Sequence, residues 1–336
     1  MSTAPLSTRI GEALDLSDNT SLYGVPPAAW RALREPALED AFRYPSAFAD
    51  PLRAALARYT GASIDRITTG CGSDDVLDTA IRTAAEPGSR IAFPDPTFSM
   101  LPHFARRNRL EAVPVPLTAD LDLDADRMLE TGASVLYLCS PNNPTGNAAS
   151  RAAIERVLAG ARGLVILDEA YAEFAAESWL DEAIRTPHLL VVRTLSKAFG
   201  LAGLRVGYGV GDAGLIARIE EARGPFRIGA LAERVAVAAL SEDLAWMRTQ
   251  AAHVRRDRAH LLRAMAALGF APLPSDANFV LVPVPDAHAA ARRLRQAGVA
   301  VRAFPGLARV GDALRITVGP EAAMERALAA LREAVR

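Results

Sequence analysis

Leu189-Leu190-Val191-Val192-Arg193-Thr194-Leu195-Ser196-Lys197-Ala198-Phe199-Gly200-Leu201-Ala202-Gly203-Leu204-Arg205 is the stretch around which the rest of the chain falls into place. Its first four residues are apolar and include two valines, the pattern of a strand buried on both faces. A single lysine then stands among two hydroxyls and several small residues, with an arginine eight positions on. Taking that lysine out of water favours its neutral amine, the form that attacks a carbonyl carbon. The hydroxyls and the arginine are the partners a doubly charged phosphate needs.

Similar apolar runs recur upstream, at Arg90–Phe93, Ser134–Cys139 and Leu164–Leu167. Helical patterns separate them, at Leu52–Tyr59, Val76–Ile81, Leu123–Leu129 and Ala152–Leu158. Apolar strands joined by helices predict a mostly parallel sheet covered on both faces. Val113-Pro114-Val115 reads as its edge strand, because proline has no N–H to give to a ladder. Downstream the pattern turns helical over Leu215–Ala222, Ala230–Leu240 and Leu244–Leu268, and Gly269 marks a boundary. Strands at Phe279–Val282, Val299–Arg302 and Leu314–Val318, with helices at Ala287–Gln296 and Glu321–Val335, then predict a smaller α/β unit.

Composition narrows the functional classes. Half of the 336 residues are hydrophobic and 23% are charged, which predicts a sizeable core and more than one typical domain. Lys+Arg 38 against Asp+Glu 39 leaves no net basicity, which argues against nucleic acid as a partner. Cys71 and Cys139 offer neither a disulfide framework nor a metal spacing, and a reducing compartment fits them. The five histidines show no ligand spacing, so no metal is expected. With no signal-peptide core and no apolar run of spanning length, a soluble cytoplasmic protein is expected.

In an open parallel sheet the ligand sits beyond the carboxyl ends of the strands, and Asn143, Asp168 and Lys197 all lie just past such ends. Upstream, Gly70-Cys71-Gly72-Ser73-Asp74-Asp75 is a glycine turn feeding a helix, whose free N–H groups and dipole favour an anion. Pyridoxal phosphate chemistry asks for each of these pieces. Its ring nitrogen must face a carboxylate to stay protonated, and Asp168 is the candidate. Asn143 and Tyr171 can donate to the ring oxygen, and Phe98 can cover the ring face. The phosphate can take the amides of Ser73 and Asp74, the hydroxyls of Thr194 and Ser196, and Arg205.

Ser140-Pro-Asn-Asn-Pro-Thr-Gly146, Asp168-Glu-Ala-Tyr-Ala-Glu-Phe174, Thr194–Tyr208 and Leu314-Arg-Ile-Thr-Val-Gly319 stand in this order. Together they resemble the fold-type I pyridoxal-phosphate aminotransferases of class I/II, and most closely the histidinol-phosphate aminotransferase branch, from about Leu16 to the C-terminus. The resemblance implies a large three-layer α/β/α coenzyme domain over 41–243. It implies a small α/β domain built from both chain ends, with an arm over 1–40 and a C-terminal part over 244–336. It also implies a homodimer with shared active sites and a place in amino-acid biosynthesis, specifically that of histidine.

Carried over by position, Lys197 is the Schiff-base lysine, Asp168 pairs with the ring nitrogen, and Asn143 and Tyr171 hold the ring oxygen. Tyr44 would reach the phosphate of the other subunit. Arg315 would bind a substrate carboxylate or help with a substrate phosphate, Arg302 and Tyr23 would contact the substrate's distal end, and Asn143 would also contact the substrate. The branch carries Asn-Glu-Asn-Pro-Tyr-Gly near its start, where this chain has Asn19-Thr20-Ser21-Leu22-Tyr23-Gly24. That difference leaves the amino donor open.

Two other readings compete. A decarboxylase of a phosphorylated amino acid shares the fold and most of these residues, but that branch tends to carry phenylalanine where Tyr171 stands. Gly209-Val210-Gly211-Asp212-Ala213-Gly214 matches a dinucleotide fingerprint, yet no second strand with a terminal acid follows it.

Overall fold

The structure is a computed structural model that describes residues 13–335. Part of the 1–40 arm therefore lies outside the described residues. Among the described residues twelve strands run in chain order: β1 Leu14–Asp15, β2 Ile67–Cys71, β3 Arg90–Asp95, β4 Glu111–Pro116, β5 Val135–Cys139, β6 Leu164–Asp168, β7 Leu189–Thr194, β8 Val206–Gly211, β9 Phe279–Pro283, β10 Val299–Ala300, β11 Arg302–Leu307 and β12 Gly311–Thr317. The large sheet has seven strands in the order β2-β8-β7-β6-β5-β3-β4. All neighbours from β7 to β4 are parallel, and β8 alone runs against both β7 and β2. Proline-bearing β4 is indeed at an edge, as its missing donors require.

The alternation of side chains sorts the two faces. Val135, Tyr137, Ile166, Leu190 and Val192 pack on one face against Leu77, Ile81, Phe104 and Ile216 of the covering helices. Leu136, Leu138, Val165, Leu167 and Val191 pack on the other, with Leu52, Met128, Val157 and Val235. Strands β5 to β7 are buried throughout because helices cover both faces, and their apolar continuity follows from that.

A second sheet, β11-β12-β9, is antiparallel, and β1 pairs in parallel with β10, so the described N-terminal residues join the C-terminal part. The long helix Leu244–Ala267 gives way to Gly269 at φ 88. No helix of the described residues is long and apolar enough to cross a membrane.

Several boundaries differ from the sequence pattern. The run Val299–Arg302 is two strands, β10 and β11, with the chain changing partners at Val301. Strand β2 escapes the pattern because Thr68-Thr69-Gly70-Cys71 mixes polar residues and glycine, although β8 buries it. The glycine turn therefore narrows to Gly72, at φ 79. The run at Gly209–Gly214 starts inside antiparallel β8, and Gly211 pairs with Leu190 while Thr194 pairs with Gly207. It leaves the sheet at the end opposite Lys197, where no parallel strand ends, and a dinucleotide site has no place there.

Candidate active site

The strand order changes direction between β3 and β5, since β3 leads to β4 on one side and has β5 on the other. Ligands of such sheets bind at this switch, beyond the carboxyl ends. A cleft of about 390 Å³ opens there. Its walls carry Ser73, Asp74, Phe98, Asn143, Asp168, Tyr171, Thr194, Ser196, Lys197, Arg205, Arg302 and Arg315. Tyr23 and Tyr44 alone among the expected residues lie elsewhere.

Asp168 ends β6 on the same sheet face as Tyr137, Cys139 and Thr194. It is 4% exposed and accepts from Tyr137 Oη at 2.8 Å and from the Ala170 N–H at 3.0 Å. Burial pushes its carboxyl up to about 6, and those two donors hold it from going further. From the sequence alone Tyr137 reads as part of a buried strand. The period of two was the available signal, because it places Tyr137 diagonal to Asp168 across the β5–β6 ladder.

Lys197 follows β7 and gives a hydrogen bond from Nζ to the Asp18 carbonyl at 3.1 Å. Burial lowers its ammonium to about 8; Arg315 and Arg205 push the same way, and Asp18 and Asp74 push against them. Near neutrality it is close to releasing the proton a nucleophile must shed.

One end of the cleft is an anion cradle. Ser73 and Asp74 are the first two residues of the Ser73–Ala84 helix, so their N–H groups have no partner within it. Thr194 Oγ1 donates to Ser196 Oγ at 2.8 Å. Arg205 pairs with Asp74 Oδ2 at 3.3 Å and sits against Gly72, where any Cβ would fall on its guanidinium. Gly207 likewise allows β8 to pass against the Gly72 and Ser73 backbone, which a Cβ would strike.

The cleft wall supplied by β11 and β12 is also cationic. Arg302 and Arg315 are direct cross-strand partners on β11 and β12. Like charges in that position repel and favour an anionic ligand between or beyond them. Arg315, 7% exposed, donates to Asn143 Oδ1 at 2.6 Å and to the Ser17 carbonyl at 2.6 Å, and its Nε is buried without a partner among the described residues. Taking the Asn143 oxygen leaves that side chain's N–H groups to the cleft.

Further residues hold these in place without having been singled out in the sequence. Asn142 donates to Pro96 O at 3.0 Å and to Thr145 Oγ1 at 2.8 Å and accepts from Thr97 Oγ1 at 2.7 Å, tying the loop of Phe98 to that of Asn143. Beneath them Arg193 grips Glu169 at 2.6 and 2.9 Å, with Glu173 at 3.9 Å. An arginine inside an otherwise apolar strand was the sign that such a buried partner existed.

The two residues outside the cleft have clear partners. Tyr23 lies behind Lys197 with its hydroxyl donating to Asp257 Oδ2 at 2.7 Å; that carboxylate, 7% exposed as a side chain, needs the donor. Tyr44 is 86% exposed, and its ring stands 5.1 Å from that of Phe226.

The sequence model of the aminotransferase class I and II family matches residues 12–331. A histidinol-phosphate aminotransferase of Methylibium petroleiphilum is 43% identical over 300 residues, covering 86% of this chain and 80% of its own. Histidinol-phosphate aminotransferase 2 of Burkholderia mallei is 39% identical over 96% of this chain and 93% of its own. The crystal structure of histidinol-phosphate aminotransferase from Sinorhizobium meliloti in complex with pyridoxal-5'-phosphate superposes with a TM-score of 0.85 at 30% identity, covering 97% of this chain and 91% of that one. With the lysine, the buried aspartate and the anion cradle gathered in one cleft, these likenesses identify the chain as a member of the class I and II aminotransferases, the fold-type I pyridoxal-phosphate enzymes.

Proposed function

We propose that this cleft holds pyridoxal 5'-phosphate and moves an amino group between an amino-alcohol phosphate of the histidinol-phosphate type and a 2-oxo acid such as 2-oxoglutarate. The observation that carries the reading is a single cleft lined by the anion cradle, by two cross-strand arginines, and by Lys197 and Asp168. The donor set fits the coenzyme. The helix N-terminus, Thr194, Ser196 and Arg205 suit a phosphate dianion, and the Asp168 carboxylate suits a ring cation. When bound, the coenzyme supplies an electron sink for the bonds at the substrate's amino carbon.

The chain's own groups supply the rest. Lys197 would hold the coenzyme and, once its amine is free, would move the proton from the carbon bearing the amino group to the coenzyme carbon. Asp168 keeps the ring nitrogen protonated, Tyr171 and Asn143 donate to the ring oxygen, and Phe98 covers one ring face. Arg302 and Arg315 hold the donor's phosphate or the acceptor's carboxylate. Tyr23, whose hydroxyl donates to Asp257, would contact the distal end of the substrate once released from that partner.

The test is a screen of amino donors with 2-oxoglutarate and the coenzyme-loaded protein, following glutamate formation. Histidinol phosphate is expected to exceed aromatic and aliphatic amino acids in kcat/KM by tenfold or more, for one well-placed ion pair is worth about that. An aromatic amino acid exceeding histidinol phosphate would overturn the substrate assignment.

We further propose a homodimer in the cytoplasm whose active sites are shared. Leu38, Phe42, Tyr44 and Phe226 are exposed by 76%, 63%, 86% and 48%, and the Tyr44 and Phe226 rings, 5.1 Å apart, form an exposed aromatic patch that a second copy would cover. Tyr44 stands on that patch and would complete the phosphate cradle of the second subunit. Tyr44→Phe should weaken coenzyme retention, and dilution should weaken it in the wild type. Mixing Tyr44→Phe with Lys197→Ala subunits should raise activity above that of the Tyr44→Phe parent, because one site of each mixed dimer has both Lys197 and Tyr44. No gain on mixing would show that the sites are not shared through Tyr44.

A further inference from the structure

The N-terminal arm is stitched onto the small sheet and reaches the cleft from there. The Leu16 carbonyl accepts from the Thr317 N–H at 3.0 Å and from its hydroxyl at 2.7 Å. At Asn19 the backbone turns left-handed, φ 55, a conformation that asparagine tolerates better than most residues. Its N–H donates to Thr317 Oγ1 at 3.0 Å, and its carbonyl accepts from Asn278 Nδ2 at 3.0 Å. The Asn19 side chain, in a residue only 1% exposed, donates from Nδ2 to Tyr171 Oη at 3.0 Å.

A phenol has one proton to give and an oxygen that can also accept. With the Asn19 amide filling the accepting side, the Tyr171 proton is left for the cleft. The Tyr171 ring is itself fixed, edge-on to Phe279 with centroids 5.2 Å apart.

We propose that Asn19 is a positioning residue for Tyr171: its buried amide orients the phenolic O–H toward the coenzyme's ring oxygen and strengthens it as a donor. This rests on the coenzyme reading above. The charged and titratable groups facing Tyr171 are Arg315 from β12, Asp168 from β6, Cys139 from β5 and Lys197 after β7, the last with Nζ 5.8 Å from the ring centroid. Burial raises the Tyr171 phenol above its ordinary range, so it remains protonated at working pH and acts as a hydrogen-bond donor. Donation to the ring oxygen favours the deprotonated form of the coenzyme–lysine chromophore, and weaker donation raises the pH of its colour change.

The test reads that colour change in the resting, coenzyme-loaded protein, without substrate. Asn19→Gly keeps the left-handed turn and removes the amide. Asn19→Asp keeps the shape but offers only acceptors, which draw the Tyr171 proton away from the cleft. Losing one neutral hydrogen bond corresponds to a shift of about half to one pH unit upward for Asn19→Gly, and Asn19→Asp should shift at least as far. In a Tyr171→Phe background Asn19→Gly should move the transition no further, and Asn19→Asp should move it less than it does with Tyr171 present. An unmoved transition in either folded, yellow variant overturns the proposal, as does an equal shift in the Tyr171→Phe background. A wild-type protein that takes up no coenzyme would instead overturn the reading of the cleft itself.

Discussion

Lys197→Ala is expected to leave the fold intact and to lower transamination by at least about ten-thousandfold, since it removes both the covalent anchor and the proton-transfer base. Borohydride treatment of the wild type should fix a pyridoxyl group on Lys197 alone, and the variant should take up none. The lowered ammonium adds a pH signature. An ordinary lysine titrates near 10.4; Lys197, depressed to about 8 by burial and two arginines, is mostly neutral above that pH. Capture of added coenzyme by coenzyme-free protein should therefore rise about tenfold per pH unit below 8 and level off above it. A capture rate still climbing beyond pH 9 would mean that the amine is solvated like a surface lysine. Substantial turnover by the alanine variant would mean that another amine does the work.

What the sequence disclosed about this site has a physical pattern. Residues at the ends of apolar strands were legible, because a polar residue stopping a buried run must face something: Asn143, Asp168 and Lys197 all line the cleft. Groups at a helix start were legible too, since Ser73 and Asp74 follow a glycine that can turn the backbone left-handed. Less legible was whatever depends on pairing between distant segments. Tyr137 looks like a core aromatic until the β5–β6 register sets it diagonal to Asp168. Strand β2 lacks an apolar run of its own and exists because β8 and a helix bury it. Tyr23 also depends on a distant partner. Its position in the arm matches the family pattern, but Asp257, 234 residues further on, claims its hydroxyl. Long-range polar partners leave little trace in a single sequence.

The second large effect concerns Asp168. Replacing it by asparagine conserves the volume of a residue that is 4% exposed. Its two donors can be accommodated, because the amide oxygen can accept from the Ala170 N–H while the Tyr137 hydroxyl rotates to accept from the amide nitrogen. The pocket should survive and coenzyme should still bind. What goes is the negative charge that keeps the ring nitrogen protonated, and with it the electron sink. Losing one preorganised charge contact costs about 3–4 kcal/mol in the transition state, or on the order of a hundredfold to a thousandfold in kcat. The pH dependence has a definite sign. Burial, partly offset by the Tyr137 and Ala170 donors, holds the carboxyl up at about 6, so in coenzyme-free protein Asp168 is ionised above that pH and neutral below it. A bound ring cation opposes the burial and lowers that value further. Loaded wild type should therefore keep its activity to lower pH than the coenzyme-free titration would indicate, and Asp168→Asn should lack this acid limb. A coenzyme analogue methylated at the ring nitrogen carries a permanent positive charge and does not need the carboxylate to maintain it. In Asp168→Ala, where the shortened side chain leaves room for the methyl group, the analogue should restore at least about tenfold of the lost rate. Full activity of Asp168→Asn with the natural coenzyme, or no gain from the methylated one, would show that Asp168 supports the pocket without setting the charge of the ring.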